Sequence, residues 1–221
     1  MDVDFSPIIA NWRFFAGWLG VTVLLSMISA VSSILFGLVI ALLRLYGPRW
    51  LSTLLIFYVD TMRAIPILVV LVWIYFAFPI LAGVTFPPFW AALAGLTLHV
   101  AAYASEIIRA GIESIRPGQT RAGLALGMSR VQILRKIILP QATIRMLPAF
   151  GSVLTMAIKD TAIATVIAVP ELMHRAETVA GQSHRPVEVF TAVMVLYFLV
   201  LFPVTRVVDR VYQRLAHLGR S

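Results

Sequence analysis

The stretch ALGMSRVQILRKIILPQA, residues 125 to 142, decides how this chain is organised, because it is cationic within an otherwise apolar sequence. Arg130, Arg135 and Lys136 interrupt its apolar run. The protein has 221 residues, of which 60% are hydrophobic and only 13% are charged, which is too apolar for a soluble domain. A basic segment between long apolar runs predicts a cytoplasmic connection between membrane spans.

Three long stretches on either side of this segment carry no Asp, Glu, Lys or Arg, at residues 14–43, 64–105 and 189–205. A membrane-spanning helix needs about 20 mostly apolar residues. The stretches do not alternate in polarity, as the strands of a membrane β-barrel would. The sequence therefore predicts an all-α integral membrane protein with five transmembrane helices, at about residues 17–43, 52–79, 88–110, 142–168 and 187–207.

The charges between the spans predict the orientation. Residues 1–16 have a net charge of −1, the first connection has +2, and the segment from Glu106 to Arg145 has +5. Residues 159–188 have −1 and the tail after Thr205 has +3. Because Lys and Arg stay on the cytoplasmic side, the N-terminus is predicted outside and the C-terminus inside. This distribution argues against nucleic-acid binding, although the whole chain carries +8.

Local signals divide the central basic segment into two short helices. Pro117-Gly118 predicts a turn, and Thr120 is a candidate N-cap for the first helix. Gly127 permits a sharp bend, since glycine alone adopts positive φ at no steric cost. Ser129 is a candidate cap for the second helix, and Pro140 is expected to end it.

The second helix carries an apolar stripe formed by Val131, Leu134 and Ile138. Such a stripe fits the groove of a partner protein or the lipid surface. It also fits packing against the spans of the same chain. The sequence leaves these three alternatives open, because periodicity does not indicate which apolar surface is buried.

Four blocks of sequence resemble the permease subunits of bacterial ABC importers, in particular those for polar amino acids. The cytoplasmic signature of that family is Glu-Ala-Ala, a glycine four residues on, and Ile-x-Leu-Pro; here it is Arg121-Ala122-Gly123, Gly127 and residues 137–140. The four blocks are AYASEIIRAGIESIRPGQ (102–119), ALGMS (125–129), ILPQA (138–142) and KDTAIATVIAVPEL (159–172), and the match also includes MRAIPILVVLVWIYF (62–76). Arg121 departs from the signature Glu, and Gly123 from its second Ala. The Arg-Ala-Ile-Pro sequence of the second span, together with Ile107-Ile108-Arg109-Ala110-Gly111, looks most like permeases of glutamate/aspartate importers.

The resemblance implies a single transmembrane permease domain over residues 1–221, with a cytoplasmic coupling loop at 117–140. It implies a location in the bacterial inner membrane and two copies of a separate ATPase subunit as partners. An identical or similar permease and an extracytoplasmic amino-acid-binding protein complete the expected complex. No Gly-x-x-x-x-Gly-Lys motif occurs, so this chain is not expected to be an enzyme; ATP and Mg²⁺ would be bound by the ATPase. The residues expected to contact the ATPase are Arg121, Ala122, Gly123, Gly127, Met128, Ser129, Val131, Leu134 and Pro140.

Polar residues at membrane depth are expensive and therefore candidates for the substrate path. Asp60 and Arg63, one turn apart, are close enough to pair. An acidic amino acid has two carboxylates and one ammonium group, so its site should offer more than one cation. The candidate path residues are Arg63, Glu106, Arg109, Lys159, Asp160 and Thr161.

Two further expectations concern metals and mechanism. A thiolate metal site is excluded because the chain has no Cys, and the lone His99 in an apolar span does not make a metal site. The alternative to an ATP-driven importer is an ATP-independent channel or secondary transporter. Such a transporter often contains an inverted repeat, and five spans do not divide into equal halves.

Overall fold

The computed structural model of the chain describes residues 4–216, and the elements in this range are helical. Asp2 and Arg220, which contribute to the predicted charge pattern, lie outside it. Two π-helical segments (Trp73–Ala77 and Leu134–Ile138) and one 3-10 segment (Thr161–Ile167) interrupt the α-helices. The α-helices are α1 (Ser6–Ala10), α2 (Trp12–Tyr46), α3 (Arg49–Ala64), α4 (Ile67–Val72), α5 (Phe78–Ala82), α6 (Pro88–Glu113), α7 (Pro117–Ala125), α8 (Arg130–Ile133), α9 (Leu139–Asp160), α10 (Leu172–Ser183) and α11 (Pro186–Ala216).

Four of the described helical stretches are long and apolar enough to cross a membrane, namely Trp12–Tyr46, Pro88–Glu113, Arg130–Ile167 and Pro186–Arg214. The bent pair Arg49–Ala64 and Ile67–Ala82 passes the same test of length and hydropathy when its two helices are taken together, and it makes a fifth span if it is counted as one. The predicted all-α membrane fold is confirmed, and its five spans correspond to these four helices and the bent pair. The placement of the N-terminus outside and the C-terminus inside stays a prediction.

The second span is broken near its centre, where a single helix over residues 52–79 was predicted. The second half of the span is bent by 109° relative to the first. The helical region is disfavoured for the residue before a proline, and Ile65, which precedes Pro66, is extended with φ −87° and ψ 133°. Pro66 also lacks the N–H that would bond to the Met62 carbonyl in a continuous helix. The prediction of one continuous helix over residues 52–79 is therefore wrong.

Helices α2 and α6 pack closely and form the centre of the bundle. The face of α2 towards α6 consists of small buried residues, including Ser26, Ser29, Ser33 and Gly37. The Ser33 hydroxyl donates to the Thr97 carbonyl at 3.2 Å. Small residues let two membrane helices approach until their backbones are in contact. The α2–α6 pair therefore forms the packed centre against which α3 and α9 lie.

The connection into the fourth span differs from the prediction. Pro140 does not end the second short helix, because the helical path runs without interruption from Arg130 to Ile167. The π-helical segment precedes Pro140, and the Leu139 N–H donates to the Leu134 carbonyl five residues earlier. Pro140 then occupies the first turn of α9, where a missing N–H is tolerated. Likewise, the first short helix begins at Pro117, so Thr120 is not its N-cap.

The connection between the fourth and fifth spans contains a helix that the sequence analysis did not predict, α10. Its N-cap is Glu171, whose carboxylate accepts the backbone N–H groups of Met173 and His174 at 2.9 and 2.7 Å. The same carboxylate accepts the hydroxyls of Tyr197 in α11 and Thr22 in α2, at 3.3 and 3.4 Å. Glu171 is completely buried, and its hydrogen bonds to Thr22 and Tyr197 join α10 to the first and last spans.

Candidate functional site

We call the segment from Pro117 to Ile138 the elbow. It consists of α7, a turn at Gly127, α8 and the π-helical segment that leads into α9. Gly127 has φ +74°, so the predicted bend at this glycine is confirmed. The Gln132 N–H donates to the Ser129 hydroxyl at 3.3 Å, while the Gln132 side chain accepts the Ser129 N–H at 2.8 Å. This reciprocal pair is a capping box, and it confirms the predicted cap at Ser129.

One side of the elbow packs against the spans of the same chain. Ile133 and Ile138 are buried in an apolar cluster with Ile108, Ile112 and residues of α9. Gly123 is buried where α7 crosses α8, and a Cβ at this position would lie 2.7 Å from Cγ1 of Ile133. Glycine in place of the second signature Ala thus allows the two short helices to touch.

The other side of the elbow is exposed and apolar. Leu124, Leu126 and Val131 are 49%, 80% and 64% exposed, and we call these three residues the docking surface. The apolar stripe predicted for the second helix is therefore divided. Ile138 packs on the chain's own spans, Leu134 is partly buried beside it, and Val131 faces outwards.

The remaining predicted coupling residues surround the docking surface or support it. Arg121, Ala122 and Pro140 are exposed, and Met128 is half-buried against the apolar cluster beneath the elbow. Arg121 and Arg130, both exposed, give the rim of the docking surface a positive charge. An apolar patch with a basic rim is suited to bind a protein groove with acidic edges.

A second candidate site is a polar cavity of about 500 Å³ between α9 and α11. The polar residues of its wall are Ser152, Thr155, Lys159, Asp160, Thr205 and Asp209. Lys159 and Asp160, two of the predicted path residues, therefore lie on one cavity wall. Thr161 is not part of that wall, because it is completely buried and its hydroxyl donates to the Ile158 carbonyl at 2.7 Å.

Glu106 and Arg109, also predicted path residues, bind each other at 2.9 Å. Arg109 also contacts Glu113 at 2.6 Å, and Arg44 of α2 donates to the second Glu106 oxygen. These four charges form a network that connects α2 to α6. The i, i+3 spacing of Glu106 and Arg109 makes them neighbours on α6, whereas Arg44 lies 62 residues from Glu106 in the chain and is brought there by the fold.

The predicted pairing of Asp60 with Arg63 is wrong. Both side chains are exposed, and among the described residues neither takes part in an ion pair within 4 Å. The guanidinium carbon of Arg63 instead lies 5.6 Å from the centre of the Tyr103 ring. Within residues 4–216, no group of three or more His, Cys, Asp or Glu side chains is arranged to hold a metal ion.

Comparison with known proteins agrees with these features. The family described as "Binding-protein-dependent transport system inner membrane component" matches residues 33–217. The arginine transport system permease protein of Bacillus subtilis is 32% identical over 97% of this chain and 98% of its own length. The glutamine transport system permease protein of Escherichia coli K12 is 32% identical over 88% of this chain and 89% of its own. A crystal structure of an amino acid ABC transporter with histidines superposes with a TM-score of 0.89 at 30% identity, covering 97% of this chain and all of that one.

These matches extend over nearly the whole chain, including the elbow and the polar cavity. They place the protein among multi-pass inner-membrane subunits that hydrolyse no ATP, because the ATPase and the substrate-binding protein are separate chains. They also decide against an ATP-independent channel or secondary transporter. The chain belongs to the family of inner-membrane components of binding-protein-dependent transport systems, and it is a permease subunit of an amino-acid ABC transporter.

Proposed function

We propose that this permease imports a polar amino acid and couples ATP hydrolysis to transport through the docking surface of the elbow. The observation that carries the proposal is the division of the elbow into a buried and an exposed apolar side. The apolar side chains of Leu126 and Val131 are mostly exposed. Ile133, in contrast, is buried against α6 and α9 and packs the same short helices against the spans. Exposed apolar patches with a polar rim are typical of protein interfaces.

The continuity of the fourth span explains how movement at the elbow would reach the substrate. Val131 and Lys159 lie on one helical path, 28 residues apart, which corresponds to about 42 Å at 1.5 Å per residue. The docking surface is at one end of this path and the polar cavity is beside the other. Because a helix transmits displacement along its axis, a tilt caused by an ATPase at the elbow changes the width of the cavity between α9 and α11.

The proposed complex contains two copies of the ATPase, which bind ATP and Mg²⁺, and a second permease, identical to this chain or similar to it. An extracytoplasmic binding protein delivers the amino acid on the opposite face of the membrane. The likeness to the arginine and glutamine permeases supports this composition, since both are permease proteins of transport systems.

For the substrate, we propose glutamate, aspartate or a related polar amino acid. The support is the Arg-Ala-Ile-Pro sequence at residues 63–66 and the cations Arg63 and Lys159, one exposed and one lining the polar cavity. Glutamate needs a cation for its side-chain carboxylate in addition to one for its α-carboxylate. The named substrates of the relatives are arginine, glutamine and cystine, so the acidic class is a proposal for this chain alone.

We expect the double variant Leu126→Asp/Val131→Asp to lose at least 90% of ATP-dependent uptake in proteoliposomes that contain the complete complex. Burial of two carboxylates in an apolar contact costs several kcal/mol, so the ATPase should no longer copurify with the permease. Gln119→Asp adds one carboxylate at an exposed position in α7, two turns from Leu126, and it should transport normally. Full uptake by the double variant would exclude the docking surface as the coupling contact.

The substrate class is tested with a panel of labelled amino acids in the same proteoliposomes, supplied with the cognate binding protein. Glutamate and aspartate should be taken up at least tenfold faster than arginine, glutamine, histidine and cystine. Fastest uptake of any of the latter four would contradict the acidic substrate and leave the importer proposal intact. Uptake of none of them, or uptake without ATP, would contradict the importer proposal itself.

A further inference from the structure

A cavity of about 310 Å³ lies between α10 and the N-terminal end of α2. Its wall is aromatic on the α2 side and largely polar on the α10 side. The residues concerned are Phe14, Phe15 and Trp18 of α2 and Arg175, Thr178 and Gln182 of α10. Among the described residues that line the cavity, Arg175 is the one with a charge, and none is Asp or Glu. The cavity is therefore suited to a ligand that has both an anionic and an apolar part.

The guanidinium of Arg175 is fixed by Trp18 and lacks an anionic partner in the range 4–216. Its central carbon lies 4.2 Å from the centre of the Trp18 ring, the distance of a close cation–π contact. Among the described residues, no carboxylate oxygen lies within 4 Å of this guanidinium. Its Nε is buried and donates to no described acceptor. Because a buried donor without an acceptor is unfavourable, a negatively charged oxygen beside Arg175 would stabilise this arrangement.

The stacked geometry leaves the edge of the guanidinium free for such an oxygen. Stacking on a ring uses the face of the planar group, whereas its N–H donors point outwards in the plane. This edge matches two oxygens of a phosphate or a carboxylate. Thr178 and Gln182 follow Arg175 at intervals of three and four residues, so they lie on the same face of α10. The exposed Gln182 amide supplies a donor and an acceptor for a polar headgroup.

An exposed apolar stripe of α2 begins at the aromatic side of the cavity. Phe14 lines the cavity and is also 64% exposed. Gly17, Val21, Leu24 and Ile28 follow it at intervals of three and four residues, which places all five on one face of the helix. Leu24 and Ile28 are exposed, and a Cβ at Gly17 would meet nothing within 4 Å. We call these five residues the apolar track.

We propose that the cavity binds one anionic phospholipid, whose phosphate contacts the edge of Arg175 and whose acyl chain lies along the apolar track. Phe14 belongs to both the cavity wall and the track, so the two parts of the site are continuous. Arginine is well suited to phosphate oxygens, which it binds in a bidentate manner. A free amino acid fits this site less well, because no described Asp or Glu of the lining accepts its ammonium group.

The bound lipid would connect α10 to the first span from the outside. Glu171 already joins the N-terminus of α10 to Thr22 of the same span from the inside. The lipid therefore adds a second attachment about one turn further along α10, at Arg175. This site is separate from the docking surface and from the polar cavity between α9 and α11, which have other residues.

The test is native mass spectrometry of the complete permease–ATPase complex, purified in detergent, stripped of lipid and titrated with phosphatidylglycerol or phosphatidylcholine. Both lipids have a phosphate, but only phosphatidylglycerol has a net negative charge. The wild type should bind phosphatidylglycerol about tenfold more tightly, the usual gain from one hydrogen bond to a charged group. Arg175→Gln should lose this preference, and it should lose one tightly bound phosphatidylglycerol per copy of this chain.

Arg206→Gln is the matched control for the loss of charge. Arg206 is exposed and likewise lies over an aromatic ring, with its guanidinium carbon 5.0 Å from the centre of Phe202, but it does not line this cavity. Its variant should bind phosphatidylglycerol as the wild type does. An equal loss of binding in Arg175→Gln and Arg206→Gln would show that the lipid responds to net charge alone, and the proposal would be wrong.

A variant of the apolar track tests the acyl chain without removing the contact between Arg175 and Trp18. Gly17→Phe places a ring on the track where a Cβ meets nothing, so the protein should accumulate normally. It should weaken the binding of long-chain phosphatidylglycerol about fivefold, because a few methylene groups lose their contact with α2. A short-chain phosphatidylglycerol should bind to Gly17→Phe and to the wild type equally. This variant decides the question if Arg175→Gln does not fold.

Three results would overturn the proposal. The first is unchanged binding of phosphatidylglycerol by Arg175→Gln, and the second is unchanged binding of the long-chain lipid by Gly17→Phe, which would indicate a site for phosphate alone. The third is unchanged lipid binding by Arg175→Gln together with a loss of the ATP hydrolysis that the binding protein stimulates. That result would assign Arg175 to an acidic surface of the binding protein. Lipid binding is measured without transport, so a failure of the proposed import function would leave this test unaffected.

Discussion

Gly37→Leu is expected to prevent the stable accumulation of the protein in membranes. A Cβ at position 37 would lie 2.7 Å from Cβ of Ala104 and 2.9 Å from the backbone nitrogen of Ser105. Real Cβ atoms essentially never approach so closely, and a backbone atom cannot rotate away as a flexible side chain can. Overpacking by small groups in a core costs about 1–3 kcal/mol, and here the pair α2–α6 would have to separate to admit an entire isobutyl group.

The amount of folded protein in membranes and the midpoint of thermal unfolding in detergent measure this effect. Gly37→Ala should lower the midpoint and Gly37→Leu should leave almost no folded protein. Gly20→Leu is the matched control in the same helix, because a Cβ at position 20 would meet nothing within 4 Å. Equal accumulation of Gly37→Leu and Gly20→Leu would show that α2 and α6 do not pack as described.

Glu171→Ala is expected to have the second largest effect, because it removes one acceptor that serves four donors. The Met173 and His174 N–H groups and the Tyr197 and Thr22 hydroxyls all point to this carboxylate. Each buried donor left without an acceptor costs about 1–3 kcal/mol. With at least two donors stranded, the free energy of unfolding should fall by about 3 kcal/mol or more.

A milder variant separates lost hydrogen bonds from lost charge. Burial raises the pKa of the Glu171 carboxyl, because the charged form loses its hydration there. The neutral Glu171→Gln keeps one acceptor oxygen for the N-cap, so it should retain more of the stability than Glu171→Ala. Glu177→Ala is the control, since Glu177 is exposed on the same helix and accepts the Thr165 hydroxyl. Similar thermal midpoints for Glu171→Ala and Glu177→Ala would contradict the role of Glu171 as the junction of three helices.

The sequence was sufficient for features that depend on local interactions. The first, third and fifth spans were predicted because long apolar runs end at Pro, Gly or charged residues, and the helices extend a few residues beyond the predicted limits. The bend at Gly127 and the cap at Ser129 were predicted because each depends on residues within one turn. Motif blocks along the chain were likewise sufficient to indicate an ABC importer permease.

The errors arose where distant residues or changes in helix geometry decide the outcome. Pro140 was expected to end a helix, but the preceding π-helical segment allows the path to continue. One helix was expected over residues 52–79, whereas the span is bent by 109° at Pro66, where both halves pack against α6 and α4 also packs against the 3-10 segment. Helix α10 was missed because its cap, Glu171, is stabilised by Thr22, which lies 149 residues earlier.

The sequence by itself determined the membrane class, the number of spans and the basic elbow, because hydrophobicity and turn chemistry act over a few residues. Only the tertiary structure decided which apolar residues of the elbow remain exposed, that Glu106 is held by Arg44, and that Asp60 and Arg63 form no ion pair with any residue of the described range 4–216. These outcomes depend on which helices lie side by side. Periodicity along one helix contains no information about the neighbour that covers each face, and that neighbour determines whether a charge is neutralised.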